Sequence, residues 1–189
     1  MELQGERLIP ASVDTTWASL NDPEVLKACI AGCESLERTG DDSLTAVVAL
    51  KVGPVSARFK GNLKMTNVQP PSGYTINFDG QGGVAGFGKG SADVALTAEG
   101  TQTRLKYNAR AQVGGKMAQV GSRLIDAAAG KITEDFFKAF EAHLQASAAP
   151  AGTDEDALPA AVAADGGIAK VWWLIGAVVL LAVLYFVIR

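Results

Sequence analysis

Apolar and polar residues alternate with a period of two over several stretches, the pattern of half-buried β-strands. Over residues 55–65 the inward set is Val55, Ala57, Phe59, Gly61, Leu63 and Met65, against Ser56, Arg58, Lys60, Asn62 and Lys64. Over residues 105–113, Leu105, Tyr107, Ala109, Ala111 and Val113 alternate with Lys106, Asn108, Arg110 and Gln112. Tyr74, Ile76 and Phe78 form a shorter set, and residues 2–9, 43–52 and 92–98 read as further strands. The stretches 70–73 (PPSG) and 98–101 (AEGT) are turn signals between them. Two short helices interrupt the strands early: Ser12 is the expected N-cap of the first, and Asp22 with Pro23 opens the second. From 116 to 144 the period changes to steps of three and four. Met117, Val120, Leu124, Ala128, Ile132, Phe136, Phe140 and Leu144 then share one face of a single long helix, with Gly114 and Gly115 before it as a hinge.

This order predicts an α+β domain. A meander of six or seven antiparallel strands curls around one long C-terminal helix, with two short helices after the first strand. Sheet and helix enclose a cavity if the facing side chains are small. Ala57, Gly61, Ala92, Ala109 and Ala111 on strands, and Gly121, Ala127, Ala128 and Ala129 on the helix, are small. The alternative is a core filled by larger neighbours. The expected ligand-binding residues are Phe59, Leu63, Phe78, Phe87, Tyr107, Met117, Val120, Gly121 and Leu124, drawn from inward strand positions, a glycine-rich loop and the apolar helix face.

Three segments divide the chain: a folded domain over 1–146, a linker over 147–169 and a hydrophobic tail over 170–189. The linker is rich in Ala, Gly and Pro, its charges are all acidic, and it lacks aromatic residues. Such a segment buries too little apolar surface to fold alone, and a flexible coil of this length spans roughly 25–30 Å. Between Lys170 and Arg189 no charge occurs, and at about 1.5 Å per residue the apolar run reaches across the bilayer hydrocarbon. Trp172, Trp173 and Tyr185 stand near its ends, as interfacial aromatics do. The start of the chain shows no apolar signal region. The expectation is a single-pass tail anchor in the cytoplasmic membrane, with the domain in the cytoplasm.

Composition narrows the function. The chain of 189 residues has one histidine, two cysteines and a net charge of −3. A mean hydropathy of +0.17 reflects the greasy tail. Without a basic field, nucleic-acid binding is disfavoured. One histidine and two cysteines disfavour zinc sites and disulfide scaffolds, so no metal is expected. The glycine-rich stretch 80–90 (GQGGVAGFGKG) holds a Gly-x-Gly-x-x-Ala register, but a strand follows it where a dinucleotide site needs a helix. It reads as a hairpin loop with Phe87 at its tip, either a gate for the cavity or a plain turn. Cys29 and Cys33 would share a face if helical, and read as buried free thiols. His143, with no nucleophile in view, reads as a cation near a helix end. Asp126 and Glu134 read as a solvated face. Lys116 and Arg123 suit an acidic partner, lipid headgroups or plain solvent. Of the inward residues only Tyr74 and Tyr107 could do acid–base chemistry, and neither has a partner. No catalytic residue is assigned.

The motifs WASLNDPEVLKACIAGCESLE (17–37), VGPV (52–55), GFGKG (86–90), VGGKMAQVGSRLID (113–126) and FFKAF (136–140) together resemble the CoxG family, named for the G-type subunit of carbon monoxide dehydrogenase. That family belongs to the START-like (SRPBCC) superfamily with its helix-grip fold. Ala31 departs from the proline expected between the cysteines. The resemblance implies a non-enzymic accessory protein that attaches a molybdenum-containing carbon monoxide dehydrogenase to the cytoplasmic membrane and carries a lipophilic molecule. A respiratory quinone, menaquinone or ubiquinone, is the expected ligand, and another lipid the alternative. An assembly factor for the dehydrogenase and a small-molecule enzyme of the same fold are the competing readings.

Overall fold

The structure is a computed structural model and describes residues 1–148. The chain runs β1 (Glu2–Ile9), α1 (Val13–Leu20), α2 (Pro23–Cys29), β2 (Cys33–Gly40), β3 (Ser43–Val52), β4 (Val55–Gln69) and β5 (Gly73–Gln81). A 3-10 turn (Gly83–Ala85) follows, then β6 (Phe87–Glu99), β7 (Gln102–Gly114), α3 (Lys116–Gln119) and α4 (Ser122–Ala148). The expected linker beyond Ala148 and the hydrophobic tail lie outside the described residues. Among the described residues no helix is long and apolar enough to cross a membrane.

All seven strands form one antiparallel sheet in the order β1-β7-β6-β5-β4-β3-β2. β1 and β2 are therefore the two edges, and the α1–α2 pair connects them. The caps are those the sequence predicts. Ser12 Oγ accepts from the Thr15 amide at 3.2 Å, and Asp22 Oδ1 from the Glu24 amide at 2.9 Å. Irregular pairing between Cys33 and Ser35, Arg38 and Gly40, and Thr66 and Gln69 adds local bends to the twisted sheet.

Three sequence expectations are corrected. Residues 33–40 form strand β2, so Cys29 ends a helix while Cys33 opens a strand, and the two share no helical face. The long helix is two helices: the chain breaks at Val120 and Gly121, where Gly121 takes φ +94°. Glu134 is not merely solvated, because Arg7 of β1 donates to its carboxylate and ties β1 to α4. The same guanidinium lies over the Phe137 ring, 5.6 Å from its centre.

The packed core occupies one end of the grip. Ile9, Leu20, Leu96, Leu105, Phe137, Phe140 and Leu144 are buried together with Cys29. Beside them Leu36, Leu44, Ala46, Met65 and Tyr74 form a second cluster, with Trp17 edge-on to Tyr74. Each large side chain so buried contributes about 1.5–3 kcal/mol. Thr16 and Thr103, both fully buried, join α1 to β7: Thr16 donates to Thr103 Oγ1, which donates to the Ala11 carbonyl at 2.8 Å. The largest fully buried side chains, Ile9, Thr16, Thr103, Leu105 and Phe140, come from the end of β1, from α1, from the start of β7 and from the second half of α4. The antiparallel topology puts the other end, with the β3–β4 turn, the 82–86 loop and the start of α4, away from this core.

Candidate functional site

A cavity of about 590 Å³ lies between the sheet and the first half of α4. Its existence follows from side-chain size along α4. Ile125, Ala128, Ala129, Ile132 and Thr133 face the cavity, and the rings of Phe136 and Phe137 close it toward the packed end. Phe136 stacks on Phe140, and Phe137 tilts against Tyr107 with ring centres 5.5 Å apart. Opposite these alanines the sheet presents Ala46, Gly61, Ala92, Ala109 and Ala111. Small residues on both walls leave a gap that the aromatic floor does not fill.

The aromatic side chains of the walls lie over glycines on neighbouring strands or loops. A Cβ on Gly5 would strike the Tyr107 ring, one on Gly82 the Phe59 ring, one on Gly90 the Phe78 ring, and one on Gly114 the Phe87 ring. Each glycine accommodates a ring along the wall, which covers the backbone and keeps bulk out of the middle. Polar groups are scarce. Asn62 and Asp79 touch the cavity, yet their side chains pair with each other at 3.0 Å and are exposed. Tyr107 and Thr133 supply the remaining side-chain hydroxyls.

Of the expected ligand-binding residues, Phe59, Leu63, Phe78, Phe87, Tyr107 and Met117 stand on the cavity wall. Val120, Gly121 and Leu124 do not. The break before α4 resets the helical phase, so Ile125 takes the inward position while Leu124 is exposed and a Cβ on Gly121 would meet open space. Ala57 and Ala127 are also off the wall. Phe87 is not the tip of the glycine-rich loop: it opens β6, paired with Gln81 and Gly114, and Val84 takes the tip. Sequence reasoning missed Val48, Leu50 and Val52 of β3, because apolar Val47 and Ala49 on the outer face hide the alternation. It also missed Ile125, Phe137 and, from the α2–β2 connection, Ile30.

Burial shifts three titratable groups of the domain. Burial pushes the Tyr74 phenol up to about 12. It also raises the Cys29 and Cys33 thiols, with Lys27 partly opposing the shift at Cys33, so both are poor nucleophiles. Both cysteines are free, and among the described residues no His, Cys, Asp and Glu cluster could hold a metal ion.

The family model for the G-type subunit of carbon monoxide dehydrogenase (CoxG) matches residues 5–145. A conserved protein from Geobacillus kaustophilus is 31% identical at a TM-score of 0.73, over 78% of this chain and 97% of that one. A START superfamily protein from Mycobacterium smegmatis gives 0.59 at 17% identity, over 77% and 98%. An aromatase/cyclase from Streptomyces sp. R1128 gives 0.58 at 11% identity, over 80% and 98%, a likeness of fold alone. Among curated proteins none matches.

Proposed function

The chain belongs to the CoxG family of carbon monoxide dehydrogenase subunits, and from that premise we propose a membrane-anchored accessory protein that holds a lipophilic ligand, a respiratory quinone, for a molybdenum-containing carbon monoxide dehydrogenase. The observation that carries this reading is the cavity. Its volume of about 590 Å³ falls within the roughly 300–1,000 Å³ usual for small-molecule sites. Walls of alanine, valine and aromatic rings suit a flat quinone head, menaquinone or ubiquinone, and the first units of an isoprenoid chain. With Asp79 exposed and paired with Asn62, and only Tyr107 and Thr133 as side-chain hydroxyls, the wall supports holding a ligand rather than acid–base chemistry on it.

The apolar run at 171–188 supports the anchor. A soluble dehydrogenase cannot reach a carrier dissolved in lipid. A tethered domain raises the local concentration of a lipid-derived ligand beside the enzyme without any new contact. The protein recruits the dehydrogenase to the cytoplasmic membrane and presents the quinone head to it.

The test is extraction of the full chain, purified from quinone-producing cells, with organic solvent followed by mass spectrometry. Near-stoichiometric quinone is expected. Absence of any quinone or lipid overturns the reading. Deletion of the gene separates recruitment from assembly: intact dehydrogenase lost from membranes is the expected result, and failure of its maturation would make the protein an assembly factor.

A further inference from the structure

The cavity opens at the end of the grip opposite the packed core. Met1, Phe87, Ala111, Val113 and Ile125 line both the cavity and an outer depression that also touches Ser122 and Asp126 of α4. Around this mouth the topology gathers the start of β1, the β3–β4 turn, the 82–86 loop, α3 and the first turn of α4. Two close approaches fix the arrangement. A Cβ on Gly53 would lie 3.6 Å from Leu124 Cδ1, and the backbone of Gly86 packs against Gly115, just before α3.

This end is both apolar and cationic. Val84 is 86% exposed, Leu124 49% and Phe87 39%, and Met1 is exposed beside them. Among the described residues the other exposed large apolar side chains, Leu8 and Val68, stand singly on β1 and β4. Lys51 flanks the β3–β4 turn, Lys89 follows Phe87 on β6, Lys116 opens α3 and Arg123 sits beside Leu124. All four are exposed, and among the described residues none takes part in an ion pair. The carboxylates at this end are Asp126, Asp79, which stands across from Lys89 and accepts from Asn62 at 3.0 Å, and two that are already paired, Glu34 with Arg58 at 2.6 Å and Glu2 with Arg110 at 3.1 Å. The turns at the opposite end carry Asp41 and Asp42, with Arg38 donating to the Asp41 carbonyl at 2.7 Å, and Glu99, which is paired with Arg104 at 2.7 Å.

We propose that the mouth end docks on an anionic lipid bilayer, with Val84 and Leu124 entering the interface and Lys51, Lys89, Lys116 and Arg123 meeting the headgroup phosphates. The chemistry favours lipid over a protein face. Val84 projects alone on a glycine-flanked loop, a knuckle that enters a fluid interface and offers little area to a flat one. Unpaired cations around an apolar tip match a negative leaflet, whereas Asp41 and Asp42 at the opposite end, unpaired among the described residues, would be repelled, so the domain is oriented as well as held. In that pose the mouth meets the headgroup region, and a lipophilic molecule passes between bilayer and cavity without crossing water. The proposal deepens the lipophilic-ligand reading and is tested without any ligand.

The full chain is used, so that its hydrophobic tail is common to every measurement. An environment-sensitive NBD dye is attached to Val84→Cys, and in a second protein to Thr101→Cys in the turn at the far end. Both carry Cys33→Ser, with Cys29 left in place as a buried thiol. Each is reconstituted into phosphatidylcholine vesicles with or without phosphatidylglycerol. The expected result is a blue shift and brightening of the dye at 84 in anionic vesicles, weakened by salt and by removing phosphatidylglycerol, with no change at 101. Each cation beside an anionic leaflet contributes about fivefold to the docked fraction, so Lys51→Glu, Lys116→Glu and Arg123→Glu together lower the docked-to-undocked ratio at least about a hundredfold. An unchanged dye at 84, or equal shifts at 84 and 101, overturns the proposal. So does a shift at 84 that appears only when a carbon monoxide dehydrogenase is added, which would make the surface a protein interface. Loss of docking with quinone still bound defeats this inference alone; docking without any extractable quinone or lipid defeats the ligand reading alone.

Discussion

Replacing Ala128 by leucine tests whether the gap between α4 and the sheet is a real void in the unliganded protein. Ala128 lies on the inner side of α4, against a cavity of about 590 Å³. The extra carbons of leucine would be buried at about 0.8 kcal/mol each, roughly 2 kcal/mol in total. Fixing the leucine rotamer costs about 0.5–1 kcal/mol. The net expectation is a stabilisation of about 1–2 kcal/mol, or roughly 3–6 °C in a domain of this size. Leu105→Phe adds the same number of carbons at the packed end, where Leu105 is 2% exposed. There no space receives them, and overpacking should cost about 1–3 kcal/mol. Thermal unfolding is followed by near-UV circular dichroism on the full chain in detergent, after exhaustive delipidation. Opposite signs for the two variants are expected. If Ala128→Leu destabilises as Leu105→Phe does, the void is closed in solution and the cavity argument fails. In protein that retains its ligand the leucine should lose the binding contribution, which grows as RT ln(1 + [L]/Kd). The same substitution then lowers stability where ligand is abundant.

Burial raises the Tyr74 phenol to about 12, above the value near 10 of an unfolded chain. The folded protein therefore holds that proton longer. The contribution is fully present below about pH 10 and is lost as pH rises toward 12, a fall of about 3 kcal/mol. Urea unfolding across this range should show the decline in the parent chain and a shallower one in Tyr74→Phe; equal slopes would mean that Tyr74 is solvated. Two glycines of the 82–86 loop should also respond differently. Gly86 has φ +114° and a Cβ there would collide with the Gly114 carbonyl, whereas Gly83, at φ +60°, has nothing within 4 Å. Gly83→Ala should cost about 1–2 kcal/mol from backbone strain alone, and Gly86→Ala clearly more, by urea unfolding; equal losses would show that the loop does not rest on the end of β7.

Local signals were enough for the parts of the molecule whose neighbours are set by chain periodicity. β4 and β7 alternate so regularly that their inner and outer faces follow from the pleat alone. Ser12, Asp22 and Pro23 mark helix starts because capping is satisfied within a few residues. An antiparallel meander of six or seven strands and a helix after it follow from the order of these elements, and the small residues on facing positions predict that a space between them is possible. Other features depend on partners distant in the chain. β2 is too polar, and β3 too apolar on its outer side, to advertise a pleated pattern. The break at Gly121 shifts the register of α4, exposing Leu124 and turning Ile125 inward, and one residue of slip in a helix moves a side chain by about 100°. The pairing of wall aromatics with glycines on adjacent strands is a matter of strand register, which alternation does not specify. The gathering of Val84, Leu124 and four cations at one mouth depends on where antiparallel strand ends meet the start of α4. Periodicity assigns a side chain to a face of its own element; only the packing of elements against one another decides which faces enclose a cavity and which ends share a surface.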